Sequence, residues 1–314
     1  MPLQTLDEIA IEKSKKQPKQ IELLTNEAPI LKMIPFEAST HDMWHAAEQV
    51  DSIDAMGFVD IDAPLPDVGT TSKLIKFDLA KMGGKITVGE DKARLYGGKE
   101  KYFAERTPHI LKRTGMSTEQ VIVYDNLRQF IIDQYNAGNT TKNVYDAAGS
   151  ANANYSIVAV RFEEGVCSGL YNSMGFGNGV MFDTQPINGG SLYAINTAGT
   201  LGYGVRLKSD LGFQLVGVRN VGAVVNIDLA NSKNPTSTMI DDMLADIRAT
   251  GSGRTMLFMH KRVLNYLSET YKTQRVRYRE ADQNVYRKIE AWDDVPIVTS
   301  YNMYDATEAN VSLS

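Results

Sequence analysis

The sequence predicts an α+β fold, and three observations carry that reading. The stretch from Tyr155 to Leu229 is a series of short runs rich in Val, Ile, Tyr and Phe, punctuated by Gly, Asn and Pro, as a sheet reads in sequence. Val121, Tyr124, Leu127, Ile131 and Tyr135 recur at three- and four-residue steps, the stripe of an amphipathic helix. The 314 residues are 43% hydrophobic and 23% charged, an ordinary globular balance that supports one large domain or two modest ones.

In chain order, residues 1 to about 40 are polar, with Lys13, Lys15, Lys16 and Lys19 among Glu8, Glu12 and Glu22. Their apolar residues (Ile9, Ile11, Leu23, Leu24, Ile30, Leu31, Ile34) cluster without a sustained helical stripe. An extended arm lying over something else and a flexible terminus both fit. Phe58-Val-Asp-Ile-Asp62 then leads through the Pro-rich loop 63–72 into Lys73-Leu-Ile-Lys-Phe-Asp-Leu-Ala80. That run puts Ile75, Phe77 and Leu79 on one face and Lys76 and Asp78 on the other. With a break at Gly83-Gly84 before Lys85-Ile-Thr-Val88, it predicts a long hairpin with a Pro-rich tip. A ribbon of this kind has little core of its own and needs a neighbour, which can be another subunit.

Ser117-Thr-Glu-Gln120 has the form of a capping box, so the long helix is expected to start at Ser117 and to end at Gly138, placed for a left-handed cap. Residues 139–154 are a polar connection. Within the sheet-rich stretch, Ala223-Val-Val-Asn-Ile227 lacks the alternation of a solvent-facing strand and belongs in a covered sheet centre. Ile240, Met243, Leu244 and Ile247 mark a second helix halted at Gly251. Thr255–Met259 is a buried strand, and Val263, Leu264, Leu267 and Tyr271 mark a third helix. Arg275 to Ile289 alternates as an exposed hairpin does, and Pro296–Tyr301 is a closing strand.

Candidate chemistry is thin. His41 and His45 stand at the helical i, i+4 spacing of a zinc pair, but the motif's Glu and a third ligand are missing, so two surface histidines are the better reading. Cys167, the single cysteine, excludes an intramolecular disulfide and reads as a packed thiol in a strand. Gly175, Gly177 and Gly179 lack phosphate-loop spacing, and Gly251-Ser-Gly-Arg254 precedes a strand where a dinucleotide loop would follow one. The pairs Asp60/Asp62 and Asp241/Asp242 have no convergent partner. Arg275, Arg277 and Arg279 line one strand face and suit phosphate, yet Glu269, Glu280, Asp282 and Glu290 lie close by, which favours a salt-bridged subunit contact or a solvated face. The formal charge of -5 argues against a dedicated nucleic-acid binder. No run approaches the ~20 apolar residues of a membrane span, and Met1-Pro-Leu-Gln-Thr-Leu-Asp-Glu has no signal-peptide pattern. No catalytic, cofactor or metal residues are expected.

The order of arm, hairpin, long helix, sheet-rich insertion, strand-helix pair, exposed hairpin and closing strand resembles the major capsid protein of tailed bacteriophages, with its Hong Kong 97 type of fold. Short motifs are similar to a family of short phage coat proteins. They are Ile157-Val-Ala-Val-Arg-Phe with Gly169-Leu-Tyr171, Gly189-Gly190 with Tyr193, and Tyr203-Gly-Val-Arg-Leu-Lys-Ser-Asp210. Val221-Gly-Ala-Val-Val-Asn-Ile-Asp228, Arg254-Thr-Met-Leu-Phe-Met-His260, Trp292-Asp-Asp-Val-Pro-Ile-Val298 and Asp305-Ala-Thr-Glu308 continue the series. Together they cover about half the chain in the family's order.

The resemblance implies an N-terminal arm (1–50), an extended E-loop over a neighbouring subunit (51–100) and a peripheral domain with the spine helix (101–140). It also implies an axial domain (141–271), a peripheral hairpin (272–292) and a closing strand returning to the axial domain (293–314). Ile75, Phe77, Leu79, Lys73, Lys76, Arg275, Arg277 and Arg279 become the inter-subunit contact candidates. The implied function is a shell of pentamers and hexamers around double-stranded DNA, bound without sequence specificity, in a virion assembled in the host cytoplasm. A portal protein, a separate scaffolding protein (no long pro-region precedes the arm) and a decoration protein are the implied partners, with no membrane. Gly83-Gly84 and the arm would absorb the shape differences between five-fold and six-fold positions. Trimming before Ile34 should then leave a folded but poorly assembling subunit. Lys73, Lys76, Lys81 and Lys85 are available for an isopeptide cross-link, but no motif singles one out, and none is expected. The competing readings are an encapsulin-like shell around a cargo enzyme and a soluble α+β enzyme with an unrecognised site.

Overall fold

The computed structural model describes residues 4–6, 8, 18–56, 58–59, 67–140, 142–172, 174, 182–249, 254–271, 276–279 and 289–313. The chain opens with β1 (Gln4–Thr5), α1 (Pro18–Thr25), α2 (Pro29–Met33) and β2 (Pro35–Ala38). Three long strands follow, β3 (Trp44–Ile53), β4 (Thr70–Asp78) and β5 (Ala80–Gly89), and then α3 (Glu90–Leu95). A continuous helical rod runs through α4 (Lys99–Gln120), a π-helical segment (Val121–Arg128) and α5 (Gln129–Asn136). Next come β6 (Val144–Asp146), β7 (Tyr155–Phe162), β8 (Cys167–Tyr171), β9 (Phe182–Pro186), β10 (Tyr193–Ala194), β11 (Leu201–Leu215) and β12 (Val221–Ile227). The chain closes with α6 (Ser237–Asp246), β13 (Arg254–Met259), α7 (Lys261–Tyr271), β14 (Val276–Arg279), β15 (Ile289–Trp292) and β16 (Val295–Thr299).

Two sheets carry the fold. One has the order β14-β15-β16-β13-β7-β12-β6, and its middle strands are sandwiched between helices. Ile157 and Ala159 of β7, Val224 and Ile227 of β12, and Leu257 and Met259 of β13 pack under α6 and α7. The alternate residues Val158, Val160, Phe162, Val221, Ala223, Val225, Met256 and Phe258 face Ile122, Val123, Leu127 and Ile131 of the rod. A sheet covered on both faces needs apolar side chains at successive positions, which is why these strands read as continuous runs. Ala223–Ile227 is covered as expected, one strand in from the short edge strand β6.

The second sheet is built on β11. Gly202 to Leu211 pair with Gly89 to Ala80 of β5 on one side. Val205 to Ser209 pair with β9, and Leu211 to Leu215 with β8, on the other. β8 in turn holds β2, and β2 holds β1.

Several local signals are overruled. The rod begins at Lys99, not Ser117, because Gly98 (φ 116) breaks the chain there and nothing stops the helix before the π segment. Ser117 is an interior helical residue and caps nothing. The C-terminal end is as expected: Gly138 has φ 73, with Gly138 N–H on Tyr135 O and Asn139 N–H on Gln134 O. Residues 18–38 are neither arm nor loose terminus; Ile21, Leu24, Ile30, Leu31, Ile34 and Phe36 are buried in the main core. Gly83-Gly84 does not interrupt β5, because both residues pair in register with Lys208 and Leu207. The first strand of the hairpin is Trp44–Ile53, pairing with β4, while Phe58 and Val59 lie outside strands. Residues 60–66, which hold most of the Pro-rich tip, lie outside the described residues.

Candidate assembly interface

Among the described residues, β3 and β4 form a two-stranded sheet that joins no other strand. Trp44 pairs with Asp78 at the root and Ile53 with Thr70 at the far end. Ten residues at ~3.4 Å each give an arm of about 30 Å. At the root, Leu79 N–H donates to Met43 O at 2.9 Å, and the Leu79 side chain is buried beside Gly212 of β11. Directly after Leu79 the chain enters β5, whose ten paired residues fix it to β11.

Toward the tip the apolar residues lose cover. Ile53 is 71% exposed, Met56 88% and Leu74 77%, and Phe58 is wholly exposed, with Val50 and Val68 close to half exposed. On β4, Ile75 and Phe77 are half-buried while Lys73, Lys76 and Asp78 face solvent, and Leu79, just past its end, is buried. Polar bonds hold the ribbon's shape: Ser72 donates to Glu48, Ser52 and Thr71 share a hydroxyl bond of 2.6 Å, and Gly69 N–H donates to Asp54 at 3.2 Å. Lys76 bonds Asp78 at 2.7 Å and lies 5.8 Å from the Trp44 ring. Both partners of that ion pair are exposed, so it directs the side chains more than it stabilises the fold.

The sequence-derived candidates separate. Arg277 and Arg279 lie two apart on β14, opposite Ala291 and Ile289 of β15; Arg275 lies outside the described residues. His41 and His45 are not on a helix. His41 sits in the turn before β3, stacked on Trp44 at 3.6 Å, and His45 in β3 accepts the Thr40 N–H at 3.2 Å. Burial lowers the His45 pKa, against the pull of Glu37. Cys167 is fully buried in β8, and burial pushes its thiol well above the usual range, so it is a packing residue as expected. Gly175, Gly177, Gly179 and Gly251 lie outside the described residues. Among those described, no three His, Cys, Asp or Glu converge as metal ligands, and no helix is long and apolar enough to cross a membrane.

Two buried carboxylates that sequence reasoning missed lock the rod to the chain ends. Glu119 accepts Ile30 N–H at 2.9 Å, Leu31 N–H at 3.3 Å, Asn302 Nδ2 at 3.1 Å and the Ser300 hydroxyl. Glu308 accepts the Tyr124 hydroxyl at 2.8 Å and the Ser156 hydroxyl, and pairs with Arg128 at 3.3 Å. Burial raises the pKa of both, opposed by these donors and, for Glu308, first by Arg128. The available signal was an acid in core register: Glu119 lies four residues before Val123 and eight before Leu127.

A family model described as Major capsid protein GP7 matches residues 12–312. The structure of bacteriophage Epsilon15 is similar with a TM-score of 0.55 at 13% identity, covering 88% of each chain. The bacteriophage JBD30 capsid gives a TM-score of 0.54 at 10% identity, covering 94% of this chain and 97% of that one. The holo-SrpI encapsulin complex from Synechococcus elongatus PCC 7942 gives 0.44 at 11% identity, over 64% of this chain and 88% of that one. No curated protein matches the sequence.

Proposed function

The chain belongs to the Major capsid protein GP7 family and is a structural capsid protein, and on that premise we propose that the β3–β4 hairpin is the strap by which one subunit overlaps the next. One observation carries this: a ribbon about 30 Å long, with no sheet partner among the described residues, exposes Ile53, Met56, Phe58 and Leu74 together. In an isolated subunit that surface would be a liability; between subunits it becomes the interior of a contact. Each overlap is modest, but a subunit gives one strap and receives another, so the contacts around it sum past a standard interface of ~1,600 Å².

In this reading the shell is icosahedral, made of pentamers and hexamers, and encloses double-stranded DNA without sequence-specific contacts. The strap is the β3–β4 hairpin with its root at Leu79, and residues 80–100, expected in the extended loop, return to the subunit because β5 pairs with β11 and Ile86, Val88 and Ala93 are buried there; residues 101–140 and 272–292 form the peripheral part, and 141–271 with 293–314 the axial part. Lys73, Lys76, Ile75 and Phe77 of β4 contact the neighbour, and Leu79 anchors the strap at its root. Arg275, Arg277 and Arg279 serve a second contact between subunits. A separate scaffolding protein, a portal and a decoration protein are the partners to seek, with assembly in the host cytoplasm.

The test is the paired substitution Ile53→Ser with Phe58→Ser. Both side chains are exposed, so the unfolding free energy should stay within about 0.5 kcal/mol of the parent. Sedimentation and negative-stain microscopy should show shells, sheets or tubes for the parent and free subunits or capsomers for the variant. Normal shells from the double variant would sink the strap.

A further inference from the structure

The rod, the turn before β12 and α6 all end beside one cleft of about 510 Å³. Its lining includes Lys142 after the rod, Arg219 in the turn Val218–Asn220, and Arg248 just past α6. Each is held in place by local bonds. Thr140 Oγ1 donates to Lys142 O at 3.0 Å and accepts the Lys142 N–H at 3.2 Å. The buried Asn143 amide donates to Val218 O at 3.0 Å and Val221 O at 3.1 Å, which fixes the turn that carries Arg219. Arg248 N–H and Ala249 N–H close α6 on Ala245 O and Leu244 O.

Arg219 and Arg248 are exposed, and their side chains have no hydrogen-bond or ion-pair partner among the described residues. The one carboxylate in the lining, Asp246, is already committed. Its Oδ2 accepts the Tyr145 hydroxyl at 2.6 Å and Asn143 N–H at 3.3 Å, and its Oδ1 lies 3.9 Å from Lys142 Nζ. Asp242, one turn earlier on α6, is exposed and outside the lining. The carbonyl ends of the rod and of α6 each add about half a negative charge. Three cations against one carboxylate and two half-charges leave about one positive charge over. Arg248 also has φ 54, the left-handed conformation that a helix end normally gives to glycine. A side chain there costs about 1–2 kcal/mol, whereas a cation inside the last turn would meet the helix dipole without strain. Backbone strain beside an unpaired charge in a cleft points to a ligand.

The surplus suits a singly charged oxyanion, and guanidinium groups match phosphate oxygens two at a time. We propose that Lys142, Arg219 and Arg248 form a binding site for a phosphate group, supplied by the phosphodiester backbone of a nucleic acid. A free phosphate has the same chemistry, and the test below separates the two. The described lining holds no aromatic side chain on which a base could stack, so the contact is with backbone and is blind to sequence. The whole chain carries a formal charge of -5, so the attraction is local and falls steeply with salt. That the nucleic acid is a packaged genome rests on the capsid reading; the phosphate site does not.

Full-length unassembled subunits are titrated into labelled DNA duplexes of about 20 base pairs, read by fluorescence anisotropy between about 50 and 200 mM NaCl. The parent should bind two unrelated duplex sequences equally. Arg219→Gln should reduce the slope of log affinity against log salt by about 1 for both. Arg248→Gly should do the same and unfold at an equal or higher urea midpoint, because a strained side chain has been removed. An arginine that merely caps α6 would give the reverse, a lower midpoint with an unchanged slope. Lys101→Gln, exposed near the opposite end of the rod, is the charge control and should leave the slope as it is. A parent that does not bind, equal slopes for the parent and both arginine variants, or an equal loss in Lys101→Gln refutes the site. Inorganic phosphate that raises the Tm of the parent but of neither variant, with duplex binding the same in all three, makes the free anion the ligand and refutes the nucleic-acid source. The capsid reading is scored separately: shells that form from the parent keep it if the site fails, and a parent that binds DNA through these arginines but never forms shells fails that reading alone.

Discussion

Gly115 decides whether residues 18–33 belong to the subunit core or lie loosely on its outside. It faces α1 from the α4 helix, and a Cβ placed there would stand 1.9 Å from the Leu24 carbonyl oxygen and 2.9 Å from its carbon. Ordinary contact begins at 3.4 Å. The difference, 3.4 less 1.9, means that Gly115→Ala must push the α1 backbone back by about 1.5 Å, in an interior packed like a crystal. Ile21 and Leu24 are fully buried, so α1 cannot retreat without opening the core. Overpacking of this kind costs about 1–3 kcal/mol or more, against a helix-propensity gain of about 1 kcal/mol for Ala over Gly. A clash of this depth with backbone puts the cost at the upper end of that range, so the net expectation is a loss of about 2 kcal/mol, read as a lower urea midpoint with unchanged slope on unassembled subunits. Were residues 18–33 detached, only the propensity gain would remain and the midpoint would rise. A midpoint at or above the parent's refutes the packed segment. The same packing reverses the earlier expectation for trimming before Ile34: the deletion removes Ile21, Leu24 and Leu31 from the core, so it should yield insoluble or unfolded chain in place of folded, non-assembling subunits.

Three further outcomes are expected. Leu24→Ala leaves a cavity against the rod and should cost about 2–5 kcal/mol by the same urea assay. Asp241→Ala removes the acceptor of the fully buried Trp292 indole N–H, 2.9 Å away, and should cost about 1–3 kcal/mol, visible also as a shift in tryptophan emission. Glu119 carries a pKa raised from 4.5 by burial, so its contribution to stability is complete below the ordinary glutamate range and is lost as pH rises through the folded value. The stability of the parent minus that of Glu119→Gln should therefore fall as pH rises above 4.5. A difference constant from pH 4 to 8 would remove that linkage.

Legibility followed the range of the interactions involved. β7, β12 and β13 could be read because both faces of their sheet are covered, and burial of successive side chains leaves its mark in every residue. The end of the rod was legible because Gly138 adopts φ 73, which its own lack of a Cβ permits. Ser117 misled for the opposite reason. A capping box is a preference worth about 1 kcal/mol, and it yields when Leu111 and Gly115 upstream are already packed against α1. Gly83-Gly84 likewise reads as a break only until β11 lies beside it and fixes each residue in register.

The hairpin shows where such reading stops. Alternation at Ile75, Phe77 and Leu79 reports a two-faced strand, and the structure grades those residues from half-buried to buried toward the root. What the proposed strap rests on is exposure at Ile53, Met56, Phe58 and Leu74, and exposure is the absence of a neighbour. A sequence encodes the apolar residue but not whether its cover comes from the same chain. In a globular monomer the same run would be folded inward, since an isolated two-stranded ribbon is marginal in water. Here Leu79 and the ten-residue pairing of β5 with β11 hold the root rigidly, so the ribbon cannot fold back to bury its tip. In the proposed strap its apolar surface is covered from outside, and for a capsid subunit the surface always at hand is that of another copy of the chain.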